Sequence, residues 1–388
     1  MATKTNFQKK ARGKLLQIPG TRPSLYNNQL LVSTGVPSLD HVLGGGVAVG
    51  TVLMIEEDVF GDYARLLVKY FTAEAVMTGQ PMMLASLDVE PEDLIKDLPA
   101  PIIDERKEED KTESSQLAQG DDSMKIAWRY QNLPKFQSNP TGIKFGHYYD
   151  LTKTMEKRLV ESIDIKCLST TQLNQIKLPV HAAEIMNINY MRLLNKIAKV
   201  IEEGKYLTKD KVDKRNILKI AIHSLGSPMW GENSGLKLDG TGHDPSLPRF
   251  LLGLRALLRS SFAVCLLTVP THLFQENSFT RQVEKFCDTV LHLESFSGSE
   301  KEKNPVFKEY HGLLNIHQLP RLNTMAAHEP DTLDLAFKLR RKKFTIEPLH
   351  LPPEMAEQSS QGHEDPLKHL KSSTAGCGGG TVTTQVTS

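Results

Sequence analysis

Residues 50–71, GTVLMIEEDVFGDYARLLVKYF, have the outline of a phosphate-binding loop, in which a strand leads through a short turn into a helix. A working loop follows the pattern G-x-x-x-x-G-K-[ST]. Its glycines let backbone N–H groups surround the phosphates, its lysine neutralises their charge, and its hydroxyl holds magnesium. Such a turn would bind a nucleoside triphosphate, helped by the partial positive charge of the helix N-terminus. Here acidic residues stand where that chemistry needs glycines and a lysine.

Each departure from the pattern removes one function. By distance from the strand, the lysine position is Tyr63, the hydroxyl position is Ala64, and Gly61 alone remains of the glycines. The turn carries four carboxylates, on Glu56, Glu57, Asp58 and Asp62. Like charges this close to a triphosphate cost about one to several kcal/mol, and Asp62 is placed to cap the helix and fill the anion site itself. We predict a nucleotide-binding frame without ATP chemistry; the alternative is an ordinary strand–helix turn of unrelated origin.

The second half of a nucleotide site is an aspartate that follows an apolar strand and positions magnesium. The candidate strand is ILKIAIHSLGS, residues 217–227, which places His223 at the aspartate position. We interpret His223 as a hydrogen-bonded residue at a strand end, with a general base or metal ligand as the alternative. The thirteen histidines show no HExxH spacing, so neither a metal site nor a cofactor is predicted.

The apolar runs that surround this turn predict an α/β domain with a mostly parallel central sheet flanked by helices. The expected strands are residues 30–32, 52–55, 82–87, 217–222, 262–269, 289–293 and 313–319, with a strand-like run at 337–346. The expected helices begin at residues 62, 184 and 250.

Polar segments divide the chain into one domain and its flanks. We expect a single domain over residues 25–350, between a disordered basic arm at 1–24 and a disordered tail at 351–388. Mobile insertions are expected near residues 104–123, 160–183 and 231–248.

Composition narrows the class of protein. The 47 basic and 46 acidic residues nearly cancel, so net charge says nothing about a nucleic-acid partner. The four cysteines are far apart, which argues against a disulfide framework and favours a reducing compartment, the cytosol or nucleus. No apolar run approaches the roughly 18 residues of a membrane helix, so no membrane partner is expected.

Several motifs of the sequence resemble those of known protein families. The stretch STGVPSLDHVLGGGVAVGTVLMI, residues 33–55, resembles the entry to RecA-type ATPase domains. With IPGTRPS, MKIAWRYQNLP, FGHYYDLTK, SLGSPMWG, VPTHLF and LAFKLRRKKFTIEPLHLPPE, it resembles the family of RecA-like accessory subunits of the Elongator complex. The resemblance covers most of residues 18–354.

The resemblance implies a RecA-like fold with degenerate ATP motifs and no catalytic role for this chain. It implies a hetero-hexameric ring formed with Elongator complex proteins 5 and 6, two copies of each, which assists the catalytic core of the complex. The whole assembly installs carboxymethyl-type modifications on the wobble uridine, U34, of tRNA. The chain would then be a structural and tRNA-binding subunit of the cytoplasm and also of the nucleus.

The segment KLRRKK is the candidate RNA contact. Its basic residues are Lys338, Arg340, Arg341, Lys342 and Lys343. Basic side chains that neutralise phosphates supply most sequence-independent affinity for nucleic acid, and a solvated strand end is the alternative. Tyr148 and Tyr149 are further candidates, for stacking on bases.

Two other functions fit parts of the sequence. One is a ring ATPase with composite sites between subunits, to which Arg255 or Arg259 would contribute a guanidinium. The other is a RecA-type accessory protein of DNA recombination. The motifs outside the generic RecA signature favour the Elongator subunit over both.

Overall fold

The computed structural model describes residues 18–24, 29–102, 145–178, 186–231, 245–324 and 328–350. The described residues up to 348 belong to one compact unit, and of the second unit, 349–388, only the first two residues are described. The predicted insertion at 104–123, residues 232–244 of the predicted insertion at 231–248 and the predicted tail at 351–388 therefore lie outside the described residues.

Fourteen strands are present in the described part of the chain. They are β1 Thr21–Pro23, β2 Leu30–Val32, β3 Val47–Ala48, β4 Val52–Glu56, β5 Met82–Ser86, β6 Pro99–Pro101, β7 Tyr149–Thr154, β8 Ile165–Leu168, β9 Leu218–His223, β10 Ala263–Val269, β11 Thr289–Ser295, β12 Gly312–Gln318, β13 Leu335–Arg340 and β14 Lys343–Pro348. The α-helices are α1 Pro37–Val42, α2 Asp62–Thr78, α3 Pro91–Lys96, α4 Lys157–Val160, α5 Thr170–Asn174, α6 Ile188–Glu203, α7 Ser246–Arg259, α8 Asn277–Phe286 and α9 Glu300–Lys303.

One nine-stranded sheet organises the described residues, in the order β14-β13-β12-β11-β4-β10-β9-β5-β8. The six strands from β11 to β8 run parallel, and β12, β13 and β14 add an antiparallel end. β4, which leads into the acidic turn, lies between β11 and β10. The predicted α/β class, with a mostly parallel central sheet flanked by helices, is confirmed.

Helices cover both faces of this sheet, because side chains alternate along each buried strand. In β4, Leu53 and Ile55 join a core that contains α1 and α2. Val52 and Met54 point the other way, into a core that contains α6, α7 and α8. Strands buried on both faces read as continuous apolar runs, which is why their positions were predictable from the sequence.

The STGVPSLD signature is explained by one buried carboxylate. Asp40 Oδ2 accepts a hydrogen bond from Ser33 Oγ at 2.5 Å, and Asp40 Oδ1 accepts from Thr34 N at 2.8 Å and Thr34 Oγ1 at 2.7 Å. Gly35 has φ +86°, and a Cβ there would lie 2.3 Å from the carbonyl oxygen of Tyr70. The spacing of the signature thus fixes a tight turn against α2.

Two predicted boundaries were wrong. Residues 18–24 of the predicted arm fold onto the domain: Ile18 is buried, and β1 pairs with β2. Most of the predicted insertion at 160–183 is ordered too, because β8 supplies the hydrogen-bonding partner for the edge of β5. Residues 18–24 are rich in glycine, proline and polar side chains, and the apolar residues of 163–168 form only a short alternating run, so the sequence pattern favours loops for both segments.

The strand-like run at 337–346 is a hairpin of two strands, β13 and β14, rather than a single strand. Arg340 and Lys343 face each other as the last pair before a two-residue turn. Where the structure describes the chain, no helix combines the length and the apolar character needed to cross a membrane.

Candidate functional site

The turn between β4 and α2 closes around Asp58. This carboxylate is 1% exposed and accepts hydrogen bonds from the backbone N–H groups of Asp62, Tyr63 and Ala64, at 3.2, 3.1 and 3.2 Å. Those groups are the free donors of the first helical turn, which bind phosphate in a working loop. A side-chain carboxylate of the protein therefore occupies the anion site.

The prediction that Asp62 fills this site was wrong. Asp62 points outward and forms an ion pair with Arg65 at 2.5 Å. Gly61, at φ +68°, reverses the chain so that Asp58, three residues earlier, reaches back over the helix end. Burial raises the pKa of Asp58, while the three N–H donors favour its charged form.

Tyr63 and Ala64, which stand at the lysine and hydroxyl positions of the pattern, pack against the core. The Tyr63 ring lies 4.6 Å from the ring of Phe337 on β13, measured between centroids. Ala64 is fully buried in the core between α2 and the sheet. Any longer side chain at residue 64 would have to displace that core.

Glu57 links the carboxyl ends of β4, β9 and β10. Its carboxylate accepts hydrogen bonds from Ser224 Oγ, at 2.9 and 3.0 Å, and from Thr268 Oγ1 at 2.6 Å. Ser224 follows β9 and adopts φ +53°, a rare conformation for a residue other than glycine. Burial raises the pKa of Glu57 despite these donors. This carboxylate is thus a structural link across the carboxyl ends of the parallel strands, where α/β folds bind ligands.

Glu56 is the third acid of the turn and lies at the end of β4. His292 Nδ1, on β11, contacts Glu56 Oε2 at 2.8 Å. His317, on β12, stacks against His292 with ring centroids 5.5 Å apart. Burial opposes ionisation of Glu56, but the two histidines outweigh it and lower the pKa of this carboxyl. Each of the three buried acids therefore has its own partners within the protein.

His223 lies at the end of β9, next to the acidic turn. It is 5% exposed, and its Nδ1 is 3.2 Å from Ser86 Oγ on the neighbouring strand β5. Burial lowers the pKa of His223 to about 4. A neutral imidazole thus stands at the position where a nucleotide site would hold an aspartate.

The buried imidazole makes stability depend on pH. A histidine whose pKa is lower in the folded chain stabilises it above the unfolded pKa, and that contribution is lost as pH falls through the folded pKa. As the pH falls from 6.5 to 4, we expect the buried His223 to lower the free energy of unfolding by up to about 3 kcal/mol, at 1.36 kcal/mol per pKa unit. Urea unfolding at pH 7, 5.5 and 4.5 should show a shallower loss for His223→Asn than for the wild type.

The exposed His272 supplies the control for this measurement. His272→Asn should keep the acid sensitivity of the wild type. An equal pH dependence for His223→Asn and the wild type would show that His223 is not the group that resists protonation.

Arg255 and Arg259, proposed as donors to a neighbouring subunit, are held by the chain itself. Both guanidinium groups contact Asp288 Oδ1, at 2.9 and 2.6 Å, and Arg259 also donates to the carbonyl of Gly50. Asp288 is buried and its other oxygen accepts from the backbone N–H of Val52. The two arginines thereby balance a buried carboxylate beside the start of β4.

The basic segment forms the turn of the β13–β14 hairpin. Arg340, Arg341 and Lys342 are exposed, and Lys343 Nζ lies 4.3 Å from the centroid of the Tyr148 ring. We call residues 340–343 the basic turn. Beside it is a cavity of about 300 Å³ lined in part by Lys343, Tyr148 and His147.

Lys338 does not belong to the basic turn. It is 6% exposed, and its Nζ lies 3.1 Å from carboxylate oxygens of both Glu309 and Glu347, over the ring of Tyr310. Of the two tyrosine candidates, Tyr148 is 43% exposed, whereas Tyr149 is buried and donates to Glu74 at 2.7 Å. Adjacent residues of extended chain point to opposite sides, which separates the side chains of Tyr148 and Tyr149.

Sequence reasoning missed the partners of Glu56. His292 and His317 come from two strands far along the chain, and Glu284 on α8 lies 3.5 Å from His317 Nδ1. No short motif links residues 56, 284, 292 and 317, so only the fold brings them together.

Comparisons with known proteins agree on one family. The sequence profile described as "PAXNEB protein" matches residues 14–377. Elongator complex protein 4 of Xenopus laevis is 45% identical over 393 residues, covering 97% of this chain and 94% of the relative. Its Danio rerio counterpart is 46% identical over 376 residues, covering 96% and 94%.

Among solved structures, a KaiC-like protein of the archaeon Pyrococcus horikoshii OT3 superimposes with a TM-score of 0.42 and 14% identity, over 82% of this chain and 99% of that one. The family match and the curated relatives span nearly the whole sequence. The chain therefore belongs to the PAXNEB family, the family of the Elongator complex protein 4 sequences.

Proposed function

We propose that this chain is a non-catalytic subunit of the Elongator complex, which builds a ring with Elongator complex proteins 5 and 6 and presents a basic surface to tRNA. The ring would support the modification of the wobble uridine U34 by the catalytic core. The relatives are named as Elongator subunits, and the proposed location, the cytoplasm and also the nucleus, follows from that role.

One observation carries the non-catalytic assignment. The Asp58 carboxylate accepts hydrogen bonds from the three N–H groups at the start of α2. A phosphate that entered would have to displace this carboxylate and then lie beside Glu56 and Glu57, both buried. Repulsion among these charges disfavours a triphosphate, and Tyr63 and Ala64 supply neither a cation nor a magnesium ligand.

The alternative, a ring ATPase with composite sites between subunits, is less favoured because the arginines that it would need are already in ion pairs. Arg255 and Arg259 already balance Asp288, so an arginine that reached a neighbour would have to give up its ion pair with a buried carboxylate. A ring in which this chain supplies surfaces demands no such rearrangement.

The RNA-binding part of the proposal rests on the basic turn. Three of its cations are exposed, and the fourth lies over an aromatic ring that is itself partly exposed. Backbone phosphates contact clustered cations without regard to sequence, which suits a subunit that must accept many tRNAs. Tyr148 and the adjoining cavity could receive an unstacked base.

The non-catalytic assignment is tested by nucleotide binding and turnover. The purified chain with magnesium and ATP should release phosphate no faster than buffer, and a fluorescent ATP analogue should not bind. Asp58→Asn keeps an acceptor for the helix N–H groups but removes one charge, and it reports whether this turn is involved.

Phosphate release that co-elutes with the chain and changes in Asp58→Asn would refute the assignment. Release that is the same in both proteins and separates from the chain on gel filtration would come from a contaminating enzyme. It would leave the assignment intact.

A further inference from the structure

A cluster of two carboxylates and a histidine lies at the end of β4, on the antiparallel side of the acidic turn. Glu56 comes from β4, Glu284 from α8 and His317 from β12. One oxygen or nitrogen atom of each lies within 4.8 Å of the others. Three separate elements of the fold thus converge on one point.

Within the cluster, Glu56 Oε1 faces His317 Nδ1 at 3.6 Å, which is beyond hydrogen-bond distance. The Oε1 atom is buried, and no described residue donates a hydrogen bond to it. Its other oxygen, Oε2, is already bound by His292 at 2.8 Å. An unsatisfied buried carboxylate oxygen costs free energy and calls for an unseen partner.

The separations between the donor atoms suit a shared cation better than hydrogen bonds. His317 Nδ1 lies 3.6 Å from Glu56 Oε1 and 3.5 Å from Glu284 Oε1. Both distances exceed the usual 2.7–3.2 Å of an N–H···O hydrogen bond. Ligand atoms about 2.1 Å from a tetrahedral zinc ion are about 3.4 Å apart.

We propose that Glu56, Glu284 and His317 bind a divalent transition-metal ion, zinc first among them, with one position left open to water. A mixed nitrogen and carboxylate ligand set selects zinc over magnesium or calcium, which prefer oxygen alone. Two carboxylates and a neutral imidazole also match the charge of a divalent cation.

The surroundings of the cluster fit this role. The His317 side chain is 39% exposed and that of Glu284 is 21% exposed, so an ion can enter from solvent. His292 holds Glu56 Oε2 and stacks on His317, and it thereby orients two of the three ligands as a positioning residue.

The experiment measures zinc binding to the full chain by competition with a chromogenic chelator, and repeats it with magnesium and calcium. We expect one zinc ion per chain at this site, and no binding of magnesium or calcium there. Glu284→Gln and His317→Asn should each weaken zinc binding at least about tenfold, and His292→Asn about tenfold, as loss of a supporting residue does. Cobalt added to the wild type should give the visible absorption of tetrahedral coordination, and His317→Asn should abolish it.

Matched variants distinguish this cluster from other zinc-binding groups. His272→Asn and Glu302→Gln alter exposed residues of the same types elsewhere, and both should bind zinc as the wild type does. Wild-type zinc affinity in Glu284→Gln and His317→Asn would overturn the proposal. So would the absence of zinc binding by a correctly folded wild-type chain, since the cluster would then hold only a proton.

Discussion

Cells that lack this chain should lose carboxymethyl-type modification of the wobble uridine in tRNA almost completely. The chemistry would reside in another subunit, but a ring cannot close when one of its three component chains is missing. The measurement is mass spectrometry of nucleosides from total tRNA, with the level in cells lacking the catalytic subunit as the reference for complete loss.

Re-expression of the wild-type chain should restore the modification, and so should Asp58→Asn, because the proposed function gives the acidic turn no part in catalysis. The catalytic subunit should remain present at its normal level in the deletion cells. Unchanged wobble uridine modification in those cells would overturn the functional assignment.

Neutralising the basic turn should weaken tRNA binding without dismantling the assembly. Arg340, Arg341, Lys342 and Lys343, all replaced by glutamine, remove four cations that the hairpin presents together. Each phosphate contact contributes about 0.7–0.9 to the slope of log affinity against log salt, so the slope should fall by up to about 3, and the affinity about tenfold or more. The loss should be similar for different tRNA sequences, because phosphate contacts carry no sequence information.

The measurement is tRNA affinity of the reconstituted ring at two salt concentrations. A matched control replaces four exposed lysines elsewhere by glutamine, Lys199, Lys209, Lys211 and Lys214, which changes the net charge equally. Lys338 is left intact, because its ion pairs with Glu309 and Glu347 support the hairpin. Equal slopes for the two quadruple variants would place the RNA surface elsewhere.

The sequence by itself determined the class of fold. Strands buried on both faces are mostly apolar, so β4, β9 and β10 were visible as largely apolar runs, with Lys219 a buried exception within β9. The sequence also places a tyrosine at residue 63 and an alanine at residue 64, where the phosphate-binding pattern has a lysine cation and an aliphatic hydroxyl, respectively.

Only the tertiary structure decided which acid fills the helix N-terminus. Local rules favoured Asp62, since an acid at a helix start is the usual cap. The left-handed conformation of Gly61 turns Asp58 back over the N–H groups instead. The identity of the cap depends on the path of the chain through the turn, which composition does not specify.

The tertiary structure also decided the roles of residues that no motif connects. Lys338 and Arg340 look equivalent in KLRRKK, yet Glu309 and Glu347 hold the first in a buried position, whereas the second lies at the hairpin turn and is exposed. Glu56 and His317 are 261 positions apart in the sequence, and they meet because β4, β11 and β12 are neighbours in the sheet. Sequence patterns report on interactions a few residues apart, whereas strand order brings together side chains from any distance along the chain.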